Sequence, residues 1–233
     1  MKLIYFKKIK FYSGSFIEIY NEINKGGLLV APAASALSKI KSDNNYYHSL
    51  KNSDVAILDS GFFCILLRIF KKVKVKKLSG YLFLKKFLDI FPRKKKLFII
   101  DHSKSSNKKN KFFLKKLKIG INGSYIAPLY SHNKVEDKTL IKSINEIKPR
   151  YILINLGGGT QEKLGLFIKN KIKFKCSIIC TGAAIAFMTG EQAPINTFID
   201  KYYMGWLVRL IWNPALYYVR ILVSFKLIKL FIN

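Results

Sequence analysis

The sequence predicts an α/β fold with a mostly parallel, Rossmann-like sheet flanked by helices and a helical appendage at the C-terminus. Short apolar segments alternate with helix-compatible segments along most of the chain, which is typical of a parallel sheet covered by helices. One apolar segment, Tyr151–Leu156, ends in three glycines and leads into a helical segment, as a strand, a tight turn and a helix would. A length of 233 residues suits one such domain with an appendage.

The predicted elements alternate through residues 1–195, which we assign to the α/β domain. The predicted strands are Leu28–Ala31, Val55–Leu58, Leu97–Ile100, Lys118–Ile121, Tyr151–Leu156 and Cys176–Cys180. The helix-compatible segments are Ala33–Ile40, Phe62–Phe70, Asn107–Lys116, Glu136–Ile147 and Gln161–Asn170. Residues 196–233 form the predicted appendage, with one helix near Phe198–Ile211 and a second that starts at Pro214, because Asn213-Pro214 is typical of a helix start.

The chain is strongly basic, with a formal net charge of +29 and a pI near 10.0. Such a charge ordinarily indicates a nucleic-acid or anionic-membrane partner. Lysine supplies almost all of it, and a solvated lysine surface explains the charge equally well. The scarcity of arginine and the absence of aromatic residues interleaved with basic ones argue against nucleic acid. A basic α/β nucleic-acid-binding protein is kept as the second hypothesis.

Cysteine usage and hydropathy bear on the compartment. The three cysteines, Cys64, Cys176 and Cys180, have no metal-ligand spacing and are predicted to be reduced residues of the core. The N-terminus lacks the apolar stretch of a secretory signal, and no window reaches about 18 uncharged apolar residues. We therefore expect a chain that is soluble or peripheral to a membrane.

The sequence predicts neither a metal site nor a cofactor. It contains no Asp-x-Asp pair of the kind that places a divalent cation on a diphosphate, and no cluster of histidines and carboxylates with ligand spacing. His48, His102 and His132 are scattered along the chain and are expected at the surface, although His102 follows a predicted strand.

In a parallel sheet, ligands bind beyond the carboxyl ends of the strands. This rule selects five loops: Ala31–Ala33, Asp59-Ser60-Gly61, Asp101-His102, Gly157–Gln161 and Thr181-Gly182. Asp59 stands out because the apolar run before it delivers a carboxylate to the sheet edge. The alternative is that Asp59 caps the helix predicted near Phe62.

The glycine loop that begins at Gly157 is suited to an anion. Glycines let backbone N–H groups approach a ligand closely, and the helix that follows offers its positive N-terminal end to a diphosphate. The loop lacks the third glycine of a dinucleotide fingerprint and the Gly-Lys-Ser/Thr of a P-loop. By itself it therefore also fits a turn that binds nothing.

The loop and the motifs that follow it, taken in order, favour a ligand. In order, they are GGGTQEK from Gly157, Thr181-Gly182, Gly190-x-x-Ala193-Pro194, and Gly205-Trp-Leu-Val-Arg209-Leu with Asn213-Pro214 and Arg220. Together they resemble the WecG/TagA/CpsF glycosyltransferase family over residues 151–220. In the N-terminal half, VAILDSG, which contains Asp59, and LSGYL, which contains Gly80, resemble further elements of that family.

The resemblance implies an inverting glycosyltransferase, and the lack of an Asp-x-Asp pair favours a metal-independent reaction. Members of the family move an N-acetylmannosamine-type sugar from a UDP donor to a polyprenyl-diphosphate-linked sugar acceptor in the synthesis of cell-surface polysaccharide or teichoic-acid-type polymers of the cell envelope. The implied location is cytoplasmic and peripheral, on the inner face of the cell membrane. No cofactor is implied.

The resemblance also implies roles for particular residues. Asp59 is the expected catalytic base. The expected ligands of the donor and its diphosphate are Gly157, Gly158, Gly159, Gln161, Glu162, Gly182, Arg209 and Arg220. On the acceptor side we expect Pro32, Lys77 and Gly80.

The chain departs from the family pattern at several positions. Ala31-Pro32 stands where the family carries Thr-Asn, Gln192 stands where it carries arginine, and Gly205 replaces a glutamate. The glycine loop is one residue shorter and has no proline. A member that keeps the fold but is catalytically impaired is therefore the third hypothesis.

The segment from Pro214 is apolar on most of its circumference and is interrupted only by Arg220, Lys226 and Lys229. It is too short and too charged to span a bilayer. We expect it to lie in the interface of an anionic membrane, with lysines at the headgroups. The residues expected in the acyl boundary are Phe225, Leu227, Leu230, Phe231 and Ile232. The alternative is that it packs on the sheet as an ordinary C-terminal helix.

Overall fold

A computed structural model describes residues 1–131 and 135–232 of the chain. His132, expected at the surface, lies outside the described residues. The strands are β1 (Lys2–Phe6), β2 (Ile9–Ser13), β3 (Gly27–Val30), β4 (Val55–Ile57), β5 (Leu97–Asp101), β6 (Gly123–Ile126), β7 (Tyr151–Asn155) and β8 (Ser177–Cys180). They form one sheet in the order β1-β2-β4-β3-β8-β7-β5-β6. Of the pairings between these described strands, β1–β2 is antiparallel and the others are parallel, so the predicted mostly parallel sheet is confirmed.

Helices connect the strands and cover the sheet. They are α1 (Phe16–Ile23), α2 (Ala34–Leu37), α3 (Asn44–Lys51), α4 (Gly61–Lys71), α5 (Gly80–Asp89), α6 (Lys104–Lys116), α7 (Lys138–Ile147), α8 (Thr160–Lys171) and α9 (Ala184–Met188). The C-terminal tail, residues 196–232, contains α10 (Thr197–Lys201), α11 (Gly205–Trp212), α12 (Pro214–Phe225) and α13 (Lys229–Ile232). In the described part of the chain, none of these helices has both the length and the hydropathy needed to cross a membrane.

The central strands are buried on both faces of the sheet. Along β7, Ile152 and Ile154 pack into one core with α3, α4, α7 and α8. The alternate residues Tyr151 and Leu153 pack into a second core with α1, α5, α6 and α9. A strand that buries both faces needs apolar residues throughout, which explains why these strands are continuous apolar runs in the sequence.

Five of the six predicted strands overlap strands of the structure, and the sixth prediction is wrong. Lys118, with a left-handed φ of 56°, lies in the turn that ends α6, and residues 119–121 have irregular backbone. The strand begins at Gly123 instead and pairs with β5. The apolar side chain that suggested a strand, Ile119, is buried in the second core although its backbone is irregular.

The β1–β2 hairpin was not predicted. Its register pairs Phe6 with Ile9, so only Lys7 and Lys8 form the turn. Both lysines have positive φ, 47° and 62°, the geometry of a two-residue turn that normally selects Asn-Gly or a similar pair. The sequence has two lysines at this turn instead of such a pair, so local pattern did not indicate a hairpin.

The tail differs from its prediction in two ways. The helix predicted near Phe198–Ile211 is two helices, α10 and α11, separated by Tyr203 with a left-handed φ of 62°. The chain then turns back after α12, so that Leu227 and Leu230 are buried in the first core. Phe231 also packs there, with its ring 4.5 Å from that of Phe6.

The expectation that Leu227, Leu230 and Phe231 enter a membrane is therefore wrong, because these three side chains pack on the protein. Phe225 and Ile232 are exposed, at 52% and 68% of their surface. They belong to a larger set of exposed apolar side chains on the tail, namely Phe198, Tyr202, Met204, Trp206, Ile211, Trp212, Leu216, Tyr218, Val219 and Leu222. The three cysteines are free and buried, as predicted.

Candidate active site

A cavity of about 860 Å³ opens at the carboxyl ends of the central strands. The loops meet there because Val30, Cys180 and Ile154 lie side by side in the register of β3, β8 and β7. Helices α11 and α12 of the tail close the opposite side of the cavity. The expected site residues that line it are Asp59, Lys77, Gly157, Gly158, Gly159, Gln161, Glu162, Gly182, Arg209 and Arg220.

The other two expected residues, Pro32 and Gly80, are buried and lie behind this lining. Gly80 begins α5, and its backbone N–H donates to Asp59 Oδ1 at 2.8 Å. A side chain at this position would crowd Ala31 Cβ and the Thr181 carbonyl oxygen, each 3.1 Å from a Cβ placed on Gly80. The glycine therefore lets α5 approach the ends of β3 and β8 closely.

Asp59 lies at the end of β4 and is partly buried in the wall of the cavity. Burial raises the pKa of its carboxyl above the ordinary value, against the Gly80 hydrogen bond and the charges of Arg209 and Lys77, which lower it. Asp59 does not cap α4. The cap is Ser60, whose Oγ accepts from Phe63 N at 3.2 Å, so the capping alternative for Asp59 is wrong.

The glycine loop leaves open space in front of its backbone. A Cβ added to Gly157 or Gly159 would meet no atom within 4 Å, and one added to Gly158 would meet only Ala36 at 3.8 Å. Gly159 has a φ of 95°, a conformation that favours glycine. The loop is followed directly by the N-terminus of α8, which favours an anion at this end of the cavity.

Gln161 and Glu162 are almost completely buried, each 1% exposed. Glu162 Oε2 accepts from Gly159 N at 2.6 Å, and Gln161 Oε1 accepts from Gly182 N at 2.9 Å. Burial also raises the pKa of Glu162. These two side chains hold the loops after β7 and β8 together, which leaves their own polar groups mostly engaged within the protein.

The tail brings two arginines to the cavity. The Arg209 guanidinium lies over the Phe187 ring, 4.7 Å from its centroid, and Arg220 lies 5.3 Å from the centroid of Tyr217. The Arg209 Nε atom is buried and has no hydrogen-bond partner among the described residues. Such an unsatisfied cationic donor is costly unless an anion reaches it.

Lys77 also lines the cavity, but its charge is already engaged. Its Nζ atom lies 2.8 Å from Asp200 Oδ1 in the tail. Gln192, which stands where the family pattern has arginine, accepts a hydrogen bond from the Tyr217 hydroxyl at 3.3 Å. Both contacts connect the tail to the sheet domain.

A buried polar cluster at the end of β5 was not predicted. The Asp101 carboxylate is fully buried and accepts from the side-chain amides of Asn107, Asn110 and Asn155 at 2.7–2.8 Å. Because each amide donates its N–H to the carboxylate, its Oδ1 atom faces away from Asp101. In the described structure Asn110 Oδ1 and Asn155 Oδ1 have no partner, and both residues line the cavity.

A sequence signal for this cluster existed. Asn107 and Asn110 are three residues apart and therefore share one face of α6. This helix directly follows β5, the strand that ends in Asp101. Next to them, Ser106 donates a hydrogen bond to Glu191 and contacts His102 Nε2 at 3.0 Å. Within residues 1–131 and 135–232, no group of three or more His, Cys, Asp or Glu side chains is arranged to hold a metal ion.

A sequence model of the glycosyl transferase WecG/TagA/CpsF family matches residues 7–232. The chain belongs to this family. No curated protein matches the chain. The match covers nearly the whole chain, so the tail helices that close the cavity lie within the matched region. Membership makes the protein an enzyme, a glycosyltransferase, with a sugar donor and an acceptor as its substrates.

The WecG/TagA/CpsF assignment gives the cavity its chemical context. A glycosyltransferase needs a base for the acceptor hydroxyl and positive potential for the departing group. The cavity has a carboxylate, Asp59, on the side of β4 and α5. It has open space in front of the glycine loop, beside the N-terminus of α8, and a cationic donor, Arg209, on the tail.

Proposed function

We propose that the enzyme moves an N-acetylmannosamine-type sugar from a UDP donor to a polyprenyl-diphosphate-linked sugar, in the synthesis of a cell-surface polysaccharide or teichoic-acid-type polymer. Asp59 takes the proton from the acceptor hydroxyl as that oxygen attacks the anomeric carbon. The bond from this carbon to the UDP oxygen breaks on the opposite side, so UDP leaves with the bonding electron pair and the configuration inverts.

The proposal is carried by one observation. The same cavity is lined by a partly buried carboxylate, an open glycine loop and Arg209, whose Nε atom has no partner in the part of the chain that the structure describes. Only one carboxylate is assigned to the chemistry, which suits direct displacement better than a covalent intermediate. The raised pKa of Asp59 increases its affinity for a proton, which suits a general base.

The donor diphosphate is assigned to the glycine loop, the N-terminus of α8, Arg209 and Arg220. Backbone N–H groups and guanidinium groups supply positive potential for a leaving diphosphate without a divalent cation. Gln161, Glu162 and Gly182 contribute by holding the two loops in place. We propose a metal-independent reaction on this basis.

The nucleoside of the donor is assigned to the cavity end near β5. Asn110 Oδ1 and Asn155 Oδ1 are acceptors without partners among residues 1–131 and 135–232, and a uracil N–H or a ribose hydroxyl is a donor that would satisfy them. A buried polar group that gains its hydrogen bond only when the ligand is present contributes to specificity.

The acceptor is assigned to the side of Lys77, Gly80 and Pro32, next to Asp59. A lipid-linked acceptor lies in a membrane, and the tail carries exposed aromatic and aliphatic side chains, including Trp212 at 56% exposure. Trp and Tyr favour the interfacial region of a bilayer, and nearby lysines favour anionic headgroups. We therefore propose that residues 196–233 form an appendage that docks the enzyme on the inner face of the cell membrane.

The test is a transfer assay with purified full-length protein, UDP-sugars and a polyprenyl-diphosphate-linked acceptor, with and without EDTA. We expect transfer with UDP-N-acetylmannosamine that EDTA does not abolish. Loss of transfer with EDTA would overturn metal independence, and transfer from another nucleotide sugar alone would overturn the donor.

Two binding measurements on the same preparation separate the alternatives. A catalytically impaired family member would bind UDP in calorimetry without any transfer. A nucleic-acid-binding protein would bind RNA with a strong salt dependence and would not bind UDP.

A further inference from the structure

The tail is joined to the sheet domain by an almost buried ion pair beside Asp59. Lys77 Nζ lies 2.8 Å from Asp200 Oδ1, and it also donates to the Asp200 carbonyl oxygen at 2.8 Å. The two side chains are only 11% and 13% exposed. The same ammonium group lies 4.8 Å from the centroid of the Tyr203 ring. Three contacts from one short tail segment therefore engage this lysine.

Asp200 is also connected to Asp59 through the first turn of α5. Its Oδ2 atom accepts from the Ser79 hydroxyl at 2.7 Å. Ser79 is the N-cap of α5 and accepts from Leu82 N at 3.0 Å. The next residue, Gly80, donates its backbone N–H to Asp59 Oδ1 at 2.8 Å. The tail carboxylate thus contacts both the lysine beside the site and the helix end that holds Asp59.

Asp200 affects the balance of charges around Asp59 through Lys77. Removing it would leave the Lys77 ammonium partly buried without a carboxylate partner, which is unfavourable. Asp59 is a carboxylate close enough for the charge of Lys77 to act on it. An ion pair between Lys77 and Asp59 would satisfy the lysine, but it would stabilise the ionised carboxylate and weaken it as a base.

We propose that Asp200 is a positioning residue for the reaction: by holding Lys77 and the Ser79 cap, the docked tail keeps Lys77 from pairing with Asp59 and leaves that carboxylate available to the acceptor hydroxyl. The inference rests on the proposed role of Asp59 as the base. If Asp200 has this role, Asp59 can act as a base only when the tail is docked. This requirement is separate from any role of the tail arginines.

Among the described residues, five ionisable groups interact with Asp59. Arg209 of α11 and Lys77 favour its ionised form, and Asp200 of α10 opposes it. Tyr46 of α3 and Cys64 of α4 also interact with it. Burial raises the pKa of both the tyrosine and the thiol, so these two groups stay neutral near pH 7. The balance near neutral pH is therefore decided by Lys77, Arg209 and Asp200.

The test compares Asp200→Asn, Lys77→Met and the double variant in full-length protein. Asp200→Asn removes a negative charge and leaves Lys77 without its carboxylate partner, so the acidic limb of the rate profile should move to lower pH by about 1 unit. The plateau rate should also fall, by about threefold to tenfold, because the base becomes weaker. Lys77→Met should move the limb to higher pH, and the double variant should return it towards the wild-type position.

Asn196→Ala is the matched control. It removes the N-cap of the same helix, where Asn196 Oδ1 accepts from Ile199 N at 2.9 Å, without touching Lys77. The limb should stay within about 0.3 pH unit of wild type. An equal shift in Asn196→Ala and Asp200→Asn would show that any loosening of the tail has the same effect, and it would overturn the specific role of Asp200.

A readout without turnover separates this inference from the proposed function. Carboxyl carbon-13 NMR of the wild-type protein, assigned with Asp59→Asn, follows the titration of Asp59 directly. We expect the Asp59 midpoint to fall in Asp200→Asn and to recover in the double variant, even if none of the donors supports transfer. An unchanged midpoint in Asp200→Asn would overturn the inference while leaving the assignment of the base intact.

Discussion

The central sheet and the C-terminal tail line the same cavity but are built in different ways. Every residue of β5, β7 and β8 is buried, whereas α10 and α11 bury none of their residues and α12 buries only Tyr217. Close packing on both faces holds the strand ends, and with them Asp59 and the glycine loop. Arg209 and Arg220 therefore lie on helices that bury at most one residue each.

The tail is instead held at a few points. They include the Lys77–Asp200 ion pair, the hydrogen bonds from Ser79 to Asp200 and from Tyr217 to Gln192, and the buried leucines at the end of the chain. Elements with few buried apolar contacts open more readily than core strands do. The sheet therefore fixes the position of Asp59, while the presence of the two arginines at the cavity depends on docking of the tail.

The largest effect should come from the rigid side of the site. Asp59→Asn should lower transfer by a factor on the order of 10²–10⁴, because the acceptor hydroxyl loses its base. UDP affinity measured by calorimetry should stay close to wild type. Asp54→Asn is the control. Asp54 lies just before β4, at the end of the strand opposite to Asp59, and its carboxylate accepts a hydrogen bond from Leu28 N. Wild-type turnover in Asp59→Asn would remove this carboxylate from the mechanism.

The pH profile sharpens the same assignment. A base acts only when it is ionised, and burial raises the pKa of Asp59. The rate should therefore fall as the pH falls through this raised pKa, above the range of an ordinary aspartate. Residual transfer in Asp59→Asn, measured over the same range, should lack that limb. If the variant keeps it, another group is responsible for the acidic loss of activity.

The next largest effect tests how far the tail depends on the core. Leu230→Ala should lower the free energy of unfolding by about 2–5 kcal/mol, because Leu230 is only 4% exposed and leaves a cavity when truncated. Ile232→Ala, two residues further on and 68% exposed, should change it by no more than about 0.5 kcal/mol. Urea unfolding measures both. Equal effects would mean that α13 does not anchor the tail.

The glycine loop should show a smaller effect, confined to binding. Gly158→Val places a side chain in open space in front of the backbone and should weaken UDP binding by about 10- to 100-fold, since hydrogen bonds to a charged ligand are lost. Gly120→Val is the control because its added side chain also meets open space, away from the cavity. Unchanged UDP affinity in a folded Gly158→Val protein would make the loop a turn that binds nothing.

The smallest effect should appear on the exposed face of the tail. Trp212→Ala should weaken binding to anionic liposomes by about fivefold, from loss of roughly 1 kcal/mol of apolar burial in the interface. Phe112→Ala, on α6 and 61% exposed, is the control. Co-sedimentation measures both. If the two variants bind alike, this face of the tail is not a membrane contact.

The parts of the fold that the sequence predicts well are those decided by local pattern. β3, β4, β5, β7 and β8 are apolar runs because both of their faces are buried. The position of Asp59 at a strand end follows from the apolar run before it. The turn at Gly157–Gly159 follows from the glycines, and one of them does adopt a positive φ that other residues avoid.

The remaining features are decided by contacts between residues far apart in the chain. The amide cluster joins Asp101 to Asn155, and the tail ion pair joins Lys77 to Asp200. Leu227 and Leu230 lie in an apolar segment whose sequence also fits a helix that faces a membrane. Only the tertiary structure, which packs them against the first core, shows that they are buried.

The sequence by itself thus determined the five buried strands from β3 to β5, β7 and β8, the order of the loops that follow them and the resemblance to the family, because local hydropathy and turn chemistry depend on neighbouring residues. The tertiary structure alone decided which charges meet at the cavity and which apolar residues of the tail face the protein. These contacts depend on how the tail folds back over the sheet. They join residues far apart in the chain, so neither spacing nor composition in the sequence predicts them.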